Sequence, residues 1–359
     1  MRKKLYAEPA DSANKHRVQM LAEVRALVRN EQAKSDRKRR EFFRPDMSSV
    51  EAYAASIAAY RRQFREMLGW PLAGDAPSGR AKATVKPVAE DSLGRISRVW
   101  IDTLPGVRTY GLFFQPNRAG RAPLVIAQHG GAGTPELAAG FFGSANYNDM
   151  VRRVLRRGAA VFAPQLLLWD ASRFGAPHGR EAIDRRLKQL GGSLAALELF
   201  RIIRSIDYFA GREDIDAQRV GMLGLSYGGF YTLFAAALDE RIKAAYSSCF
   251  FSNRKVYDWY DWVWFNSANR FLDAEAAMLV CPRALYLEAA KADEVFRVRY
   301  AGPEAAKVRA VYRKLRIPGR FRYAEHRGRH ELDKSDDGIS FMFRCLKAVK
   351  AQKPGMEKP

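Results

Sequence analysis

The run Arg219-Val220-Gly221-Met222-Leu223-Gly224-Leu225-Ser226-Tyr227-Gly228-Gly229 constrains the fold more than any other stretch of the chain. A short apolar strand enters Gly-x-Ser-x-Gly and leaves into a helical run, Phe230 to Leu238. Lifting a serine hydroxyl clear of a sheet needs a reversal within about one residue, with the serine backbone strained. Side chains two positions before and after would collide with the strand and the helix, so Gly224 and Gly228 are small. Gly229 lets the helix lie close to the sheet. The hydroxyl then sits at a helix N-terminus, where the dipole and free N–H groups favour developing negative charge. Such a turn is a nucleophile elbow once a histidine, a carboxylate and a pair of backbone donors meet it.

The second constellation lies upstream. Pro123-Leu124-Val125-Ile126-Ala127 is a continuous apolar run, as expected of a strand buried on both faces, and it ends in Gln128-His129-Gly130-Gly131-Ala132-Gly133. A tetrahedral intermediate needs two donors aimed at its oxyanion. One is expected to be the N–H of Tyr227, the other that of Gly130 or Gly131. His129 is read as a brace for this loop.

The acid and base follow in chain order. Pro282 to Leu287 reads as a buried strand, and Asp293 in the loop beyond it is the expected acid. Glu288, at the strand's end, is the runner-up and Glu294 a distant third. After a helix (303–315) and a strand (321–324) come His326 and His330, the two histidines that follow the acid. His330 sits further into its loop and is the expected base; His326, at the strand terminus, is read as structural. The acid's task is to hold the imidazole tautomer and stabilise its charged form.

Around these motifs the chain alternates β-α-β-α, which argues for a parallel sheet with helices on both faces. Segments 83–87, 96–103 and 110–115 alternate with period two and suit an antiparallel edge of that sheet. Residues 1–75 are expected to be an N-terminal helical extension packed on the main domain. Leu21, Val24, Leu27 and Val28 recur at helical spacing, as do Tyr60, Phe64, Met67 and Leu68, and Ser48 or Ser49 caps the second helix after Pro45. Residues 76–350 form the expected catalytic domain and 351–359 a tail. Within the domain, 249–280 is an aromatic cap segment with three of the chain's six tryptophans. Trp259, Trp262 and Trp264 are candidate substrate contacts, with packing of a lid on the body as the alternative. Residues 165–191 make a long connection that carries Trp169, Arg173 and His178.

Composition excludes several classes. At 359 residues and 47% apolar, the chain has ample core. Cys249, Cys281 and Cys345 lack the spacing of a zinc site or disulfide framework, so buried thiols in a reducing compartment are expected, with no metal and no organic cofactor. The net charge of +22 comes from Lys and Arg interleaved with Asp and Glu. No nucleic-acid-binding signature accompanies them, so a solvated surface is expected rather than a nucleic-acid partner. The stretch after Met1-Arg2-Lys3-Lys4 has no apolar core, and no long apolar run exists, so neither secretion nor a membrane partner is expected and the location reads as cytoplasmic.

Assembled, these residues resemble the α/β-hydrolase superfamily, and within it the dienelactone-hydrolase and acetyl-xylan-esterase-like branch. The resemblance rests on Pro105–Phe114, Ala127–Gly131, Asp216–Gly229, Ala237–Ile242, Cys281-Pro282-Arg283 and Gly328–Glu331, and covers roughly residues 60–349. It departs at Arg329, where relatives often have glycine, and at Ala290-Lys291-Ala292-Asp293, where many read Gly-x-x-Asp. The resemblance implies an α/β-hydrolase fold and a serine ester hydrolase acting through Ser226, Asp293 and His330 on a small-molecule ester, an acetyl or carbohydrate ester among them. Relatives of the prolyl oligopeptidases share the elbow but carry a propeller that an N-terminal helical segment cannot form. A basic binding protein on an inert hydrolase scaffold is the remaining alternative.

Overall fold

The computed structural model describes residues 3–74 and 80–349. The tail expected at 351–359 and the boundary expected at 75–76 lie outside them.

Nine strands form one sheet: β1 (Ala83–Asp91), β2 (Gly94–Leu104), β3 (Val107–Pro116), β4 (Ala122–Gln128), β5 (Ala160–Pro164), β6 (Ile215–Leu225), β7 (Ile242–Ser248), β8 (Ala284–Ala290) and β9 (Phe321–His326). Their spatial order is β1-β2-β3-β5-β4-β6-β7-β8-β9. β1, β2 and β3 pair antiparallel, and β3 pairs antiparallel with β5, whereas every pair from β5 through β9 is parallel. The period-two segments are thus the antiparallel edge, and the continuous apolar run is the central strand β4, buried at every position.

Helices cover both faces, as the alternation requires. One face carries helices Leu194–Ala210 and Tyr227–Leu238, packed through Leu199, Ile206, Phe230 and Phe234. The other carries Met150–Leu155 and Asp337–Lys347, through Val151, Val154, Ile339 and Met342. The helix after Ser226 is buried along nearly its whole surface, which its composition (two Phe, two Leu and three alanines in twelve residues) permits.

The N-terminal segment forms helices Asn14–Phe42 and Val50–Leu68. Ser49 caps the second, accepting from the Ala52 N–H at 3.0 Å. That helix joins the core through Tyr53, Ile57, Phe64 and Leu68, and Arg61 Nε donates to the Ala237 carbonyl at 2.9 Å. The first helix behaves differently. Its C-terminal end docks, with Arg39 bonded to the Ala268 carbonyl at 2.6 Å and paired with Glu275 at 3.0 Å. Leu21, Val24, Leu27 and Val28 are 45%, 52%, 61% and 50% exposed. Their spacing marked the helix correctly, but this half of it overhangs the body, so packing along its length is not what the structure has.

Arg39 also belongs to the densest basic run, Lys34–Arg40. Lys34 and Lys38 of that run both pair with Glu31, at 2.7 and 3.1 Å. Among the described residues, no helix is long and apolar enough to cross a membrane.

Candidate active site

Ser226 follows the last residue of β6 and precedes the helix Tyr227–Leu238, with φ 60° and ψ −123°. A side-chain-bearing residue at positive φ is strained, and here the surroundings impose it. The Ser226 N–H donates to the Ser248 carbonyl at the end of β7, at 2.9 Å. A Cβ on Gly228 would overlap the Gln128 carbonyl, and one on Gly224 would overlap the backbone of Gly228. The two glycines are therefore required by close approach of β4, β6 and the helix.

Asp293 and His330 lie in the loops that follow β8 and β9, at the same carboxyl edge of the sheet, where open α/β sheets bind ligands. His330 Nδ1 is 2.9 Å from Asp293 Oδ2. Asp293 Oδ1 accepts from the N–H groups of Val295 (2.7 Å) and Phe296 (2.9 Å). Burial pushes the Asp293 carboxyl up, but His330 and those two N–H groups outweigh it and hold the group below the usual carboxylate range. An ionised carboxylate at Nδ1 fixes the proton there and leaves Nε2 as the free acceptor.

The runner-up acids have other work. Glu288 is buried and accepts from Tyr246 Oη at 2.6 Å, Ser248 Oγ at 2.7 Å and the Asp333 N–H at 3.1 Å. The histidine beside it is His326, with Nε2 at 3.8 Å. Glu294 faces solvent and meets Arg329 at 3.2 Å.

The loop carrying His330 is anchored from the far side of the site. Asn146 Nδ2 donates to the His330 carbonyl at 3.0 Å, and the Leu332 N–H returns a bond to the Asn146 carbonyl at 2.9 Å. Among the described residues no hydrogen bond joins Ser226 Oγ to the His330 ring. Such contacts often tighten only with substrate in place.

The loop after β4 corrects one expectation. The Gly130 N–H is already used, donating to Tyr147 Oη at 2.9 Å, so it is not a free donor. Burial pushes the Tyr147 hydroxyl up to about 12, which keeps it protonated. Gly131 is the other candidate donor on this loop. His129 is the brace expected: its Nε2 accepts from the Leu166 N–H at 3.0 Å, and its Nδ1 bonds the Gly130 carbonyl at 2.8 Å. Burial holds its ring neutral, with a pKa of about 4.

The tryptophans divide. Trp262 is 1% exposed and packs on Phe230 at 5.3 Å between ring centroids, so it is core and not a substrate contact. Trp264 points at Phe234 (5.9 Å) and donates to Ser193 Oγ at 3.3 Å. Trp259 is half-buried and stacks on Tyr227 at 5.7 Å, which keeps it at the site. The aromatic enrichment has a physical cause the sequence did not reveal. Arg254 is buried and paired with Asp273, and its guanidinium lies 4.9–5.7 Å from the rings of Phe230, Phe234, Phe250, Trp262 and Trp264.

Two more groups escaped the sequence reading. Cys249 Sγ, Asp293 and His330 place ligand-type atoms within 4.8 Å of one another. Burial, then Glu288 and Asp293, push the Cys249 thiol up, so it stays protonated beside the pair. Arg180, Glu198 and Asp261 form a buried ion cluster that reaches Tyr227. Neither group has a local pattern; each is visible only once the strands are side by side.

Comparison with known proteins adds the following. A family model described as the prolyl oligopeptidase family matches residues 198–299. YtaP of Bacillus subtilis (strain 168), whose name describes it as a hydrolase, is 26% identical over 200 residues, 53% of this chain; the match spans 64% of YtaP. A glucuronoyl esterase from Solibacter usitatus superposes with a TM-score of 0.61 at 18% identity, over 86% of this chain and 98% of that one. A Bacteroides fragilis NCTC 9343 protein described as an acetyl xylan esterase gives 0.65 at 14% identity, over 88% of both chains. The fold is that of the α/β hydrolases, with the N-terminal helices added.

Proposed function

We propose, from the premise that this chain has the α/β-hydrolase fold, that it is a serine carboxylic-ester hydrolase. The observation that carries the reading is the strained Ser226 at a helix N-terminus, on the sheet edge that also holds the Asp293–His330 pair. His330 Nε2 takes the proton of Ser226 Oγ as that oxygen attacks the ester carbonyl. The N–H groups of Tyr227 and Gly131 hold the oxyanion, each worth about 10²–10³ in rate. Collapse breaks the carbon–oxygen bond to the alcohol, which leaves with the proton from His330. Water then gives its proton to the same ring, attacks the acyl-enzyme and releases the acid, restoring Ser226.

Acetyl or carbohydrate esters are the substrate class we favour. The support is the half-buried Trp259 face beside Tyr227 and the esterase descriptions of the two structural relatives. Peptide cleavage is the second reading, favoured by the family match over residues 198–299.

The test is turnover of short p-nitrophenyl esters, acetylated sugars and peptide p-nitroanilides, together with fluorophosphonate labelling. Ser226→Ala is expected to abolish ester turnover and labelling with the fold intact. Ester turnover that survives Ser226→Ala refutes the mechanism. Turnover confined to the peptides favours the second reading, and a wild-type protein neither labelled nor active is an inert scaffold.

A further inference from the structure

The Arg180 cluster has no part in the proton transfers above, yet it touches both sides of the oxyanion site. From Arg180, Nη1 meets Glu198 Oε2 at 2.9 Å, Nε meets Asp261 Oδ2 at 2.8 Å, and Nη2 donates to Tyr231 Oη at 2.8 Å. Tyr231 in turn donates to Glu198. All four side chains are buried. A planar guanidinium suits this role because its donors leave in fixed, divergent directions, which an ammonium cannot reproduce.

Two branches leave the cluster. On one side, Glu198 Oε1 accepts from the Leu167 N–H at 2.8 Å. The neighbouring Leu166 N–H bonds His129 Nε2, and His129 Nδ1 bonds the Gly130 carbonyl. That carbonyl belongs to the same peptide group as the Gly131 N–H, so holding the one aims the other. On the other side, Tyr227 Oη donates to Asp261 at 3.1 Å, and the Arg180 guanidinium lies 5.3 Å from the Tyr227 ring centroid. Tyr227 supplies the second donor from its own backbone.

We infer that Arg180 is a positioning residue that locks the two oxyanion donors to each other, joining the segment behind the Gly130–Gly131 loop to the side chain of Tyr227 through Glu198 and Asp261. The inference rests on the ester-hydrolase reading above. It adds that the aromatic cap segment, which contributes Asp261, is a structural member of the oxyanion site. Donors of this kind act only if held to a few tenths of an ångström, so loosening the lock lowers transition-state stabilisation and leaves ground-state binding in place.

The experiment uses the full chain carrying Tyr227→Phe, Asp261→Asn or Arg180→Lys, assayed on the best ester with melting followed in parallel. The expected result is a fall in kcat of about tenfold or more with KM within about threefold. Affinity for a boronic-acid transition-state mimic should drop by the same factor as kcat/KM, while affinity for the product acid holds. Tyr227→Phe removes a single hydroxyl and keeps the ring, so it carries the test if the buried-charge variants fail to fold. Wild-type kcat in folded Tyr227→Phe or Asp261→Asn overturns the inference, as does a rise in KM with kcat unchanged. A wild-type protein without Ser226-dependent turnover overturns the parent reading instead, and this one with it.

Discussion

His129 gives a stability prediction with a definite sign. Its ring is buried, and burial lowers its pKa from 6.5 to about 4, because charging it would strand an imidazolium against the Leu166 N–H. In the unfolded chain the ring takes a proton below about pH 6.5, in the folded chain only below about 4. Between these values the unfolded state binds more protons, so acidification favours unfolding. The contribution is complete above pH 6.5 and lost as pH falls toward 4. At about 1.4 kcal/mol per pH unit the full loss is roughly 3 kcal/mol, of which about 2 kcal/mol is gone by about pH 5. Asp293 titrates in a lower window: its folded pKa is depressed, so its contribution is lost only as pH falls below the ordinary carboxylate range. The perturbation that isolates the ring is His129→Gln, which keeps an acceptor and a donor but no titration. Urea unfolding of both proteins at about pH 7.5 and 5 is the assay. The wild type should lose about 2 kcal/mol more than the variant on acidification. A difference below about 0.5 kcal/mol would refute the claim that this imidazole stays neutral beneath the loop after β4.

Five further variants have expected outcomes. Asp293→Asn should cut kcat by about 10³–10⁴. Glu288→Gln should instead cost about 1–3 kcal/mol of stability, because three donors converge on that carboxylate, and change kcat little. Trp262→Ala should destabilise the fold by about 3–5 kcal/mol in thermal or urea unfolding. Trp259→Ala should cost less stability than Trp262→Ala, because its ring is only half-buried, and raise KM for the best ester. Replacing both Leu21 and Val24 with Asp should shift unfolding by less than about 1 kcal/mol, since both are about half exposed on the overhanging part of their helix.

The parts of the site legible in the sequence were those whose physics is local. The elbow is written in consecutive residues because its constraint, a reversal beneath Ser226, acts over five positions. β4 was legible because a strand buried on both faces has no polar face to show. Asp293 and His330 were singled out by order and loop position, and the structure pairs them; the choice between Asp293 and Glu288 turns on contacts that spacing does not encode. What stayed hidden is non-local. Arg180 and Asp261 are separated by 81 positions, and Gly130 and Tyr147 by 17, with nothing in either local pattern to announce the bond.

The misread residues make the same point from the other side. Periodicity at Leu21, Val24, Leu27 and Val28 reports a helix, because repeat spacing is a property of the backbone. What covers that face is a property of where the next element ends, and here the body ends near Ala268. The aromatic cluster likewise reports burial of something. The something is Arg254, a charge that needs five rings and Asp273 around it to be buried at all. Cap and elbow therefore share one polar interior: Arg254 fixes the cap from within, and Asp261 carries it to Tyr227. On the proposed ester-hydrolase reading, a cap anchored at two buried ion pairs places selectivity among esters in half-buried side chains such as Trp259 rather than in motion of the segment as a whole.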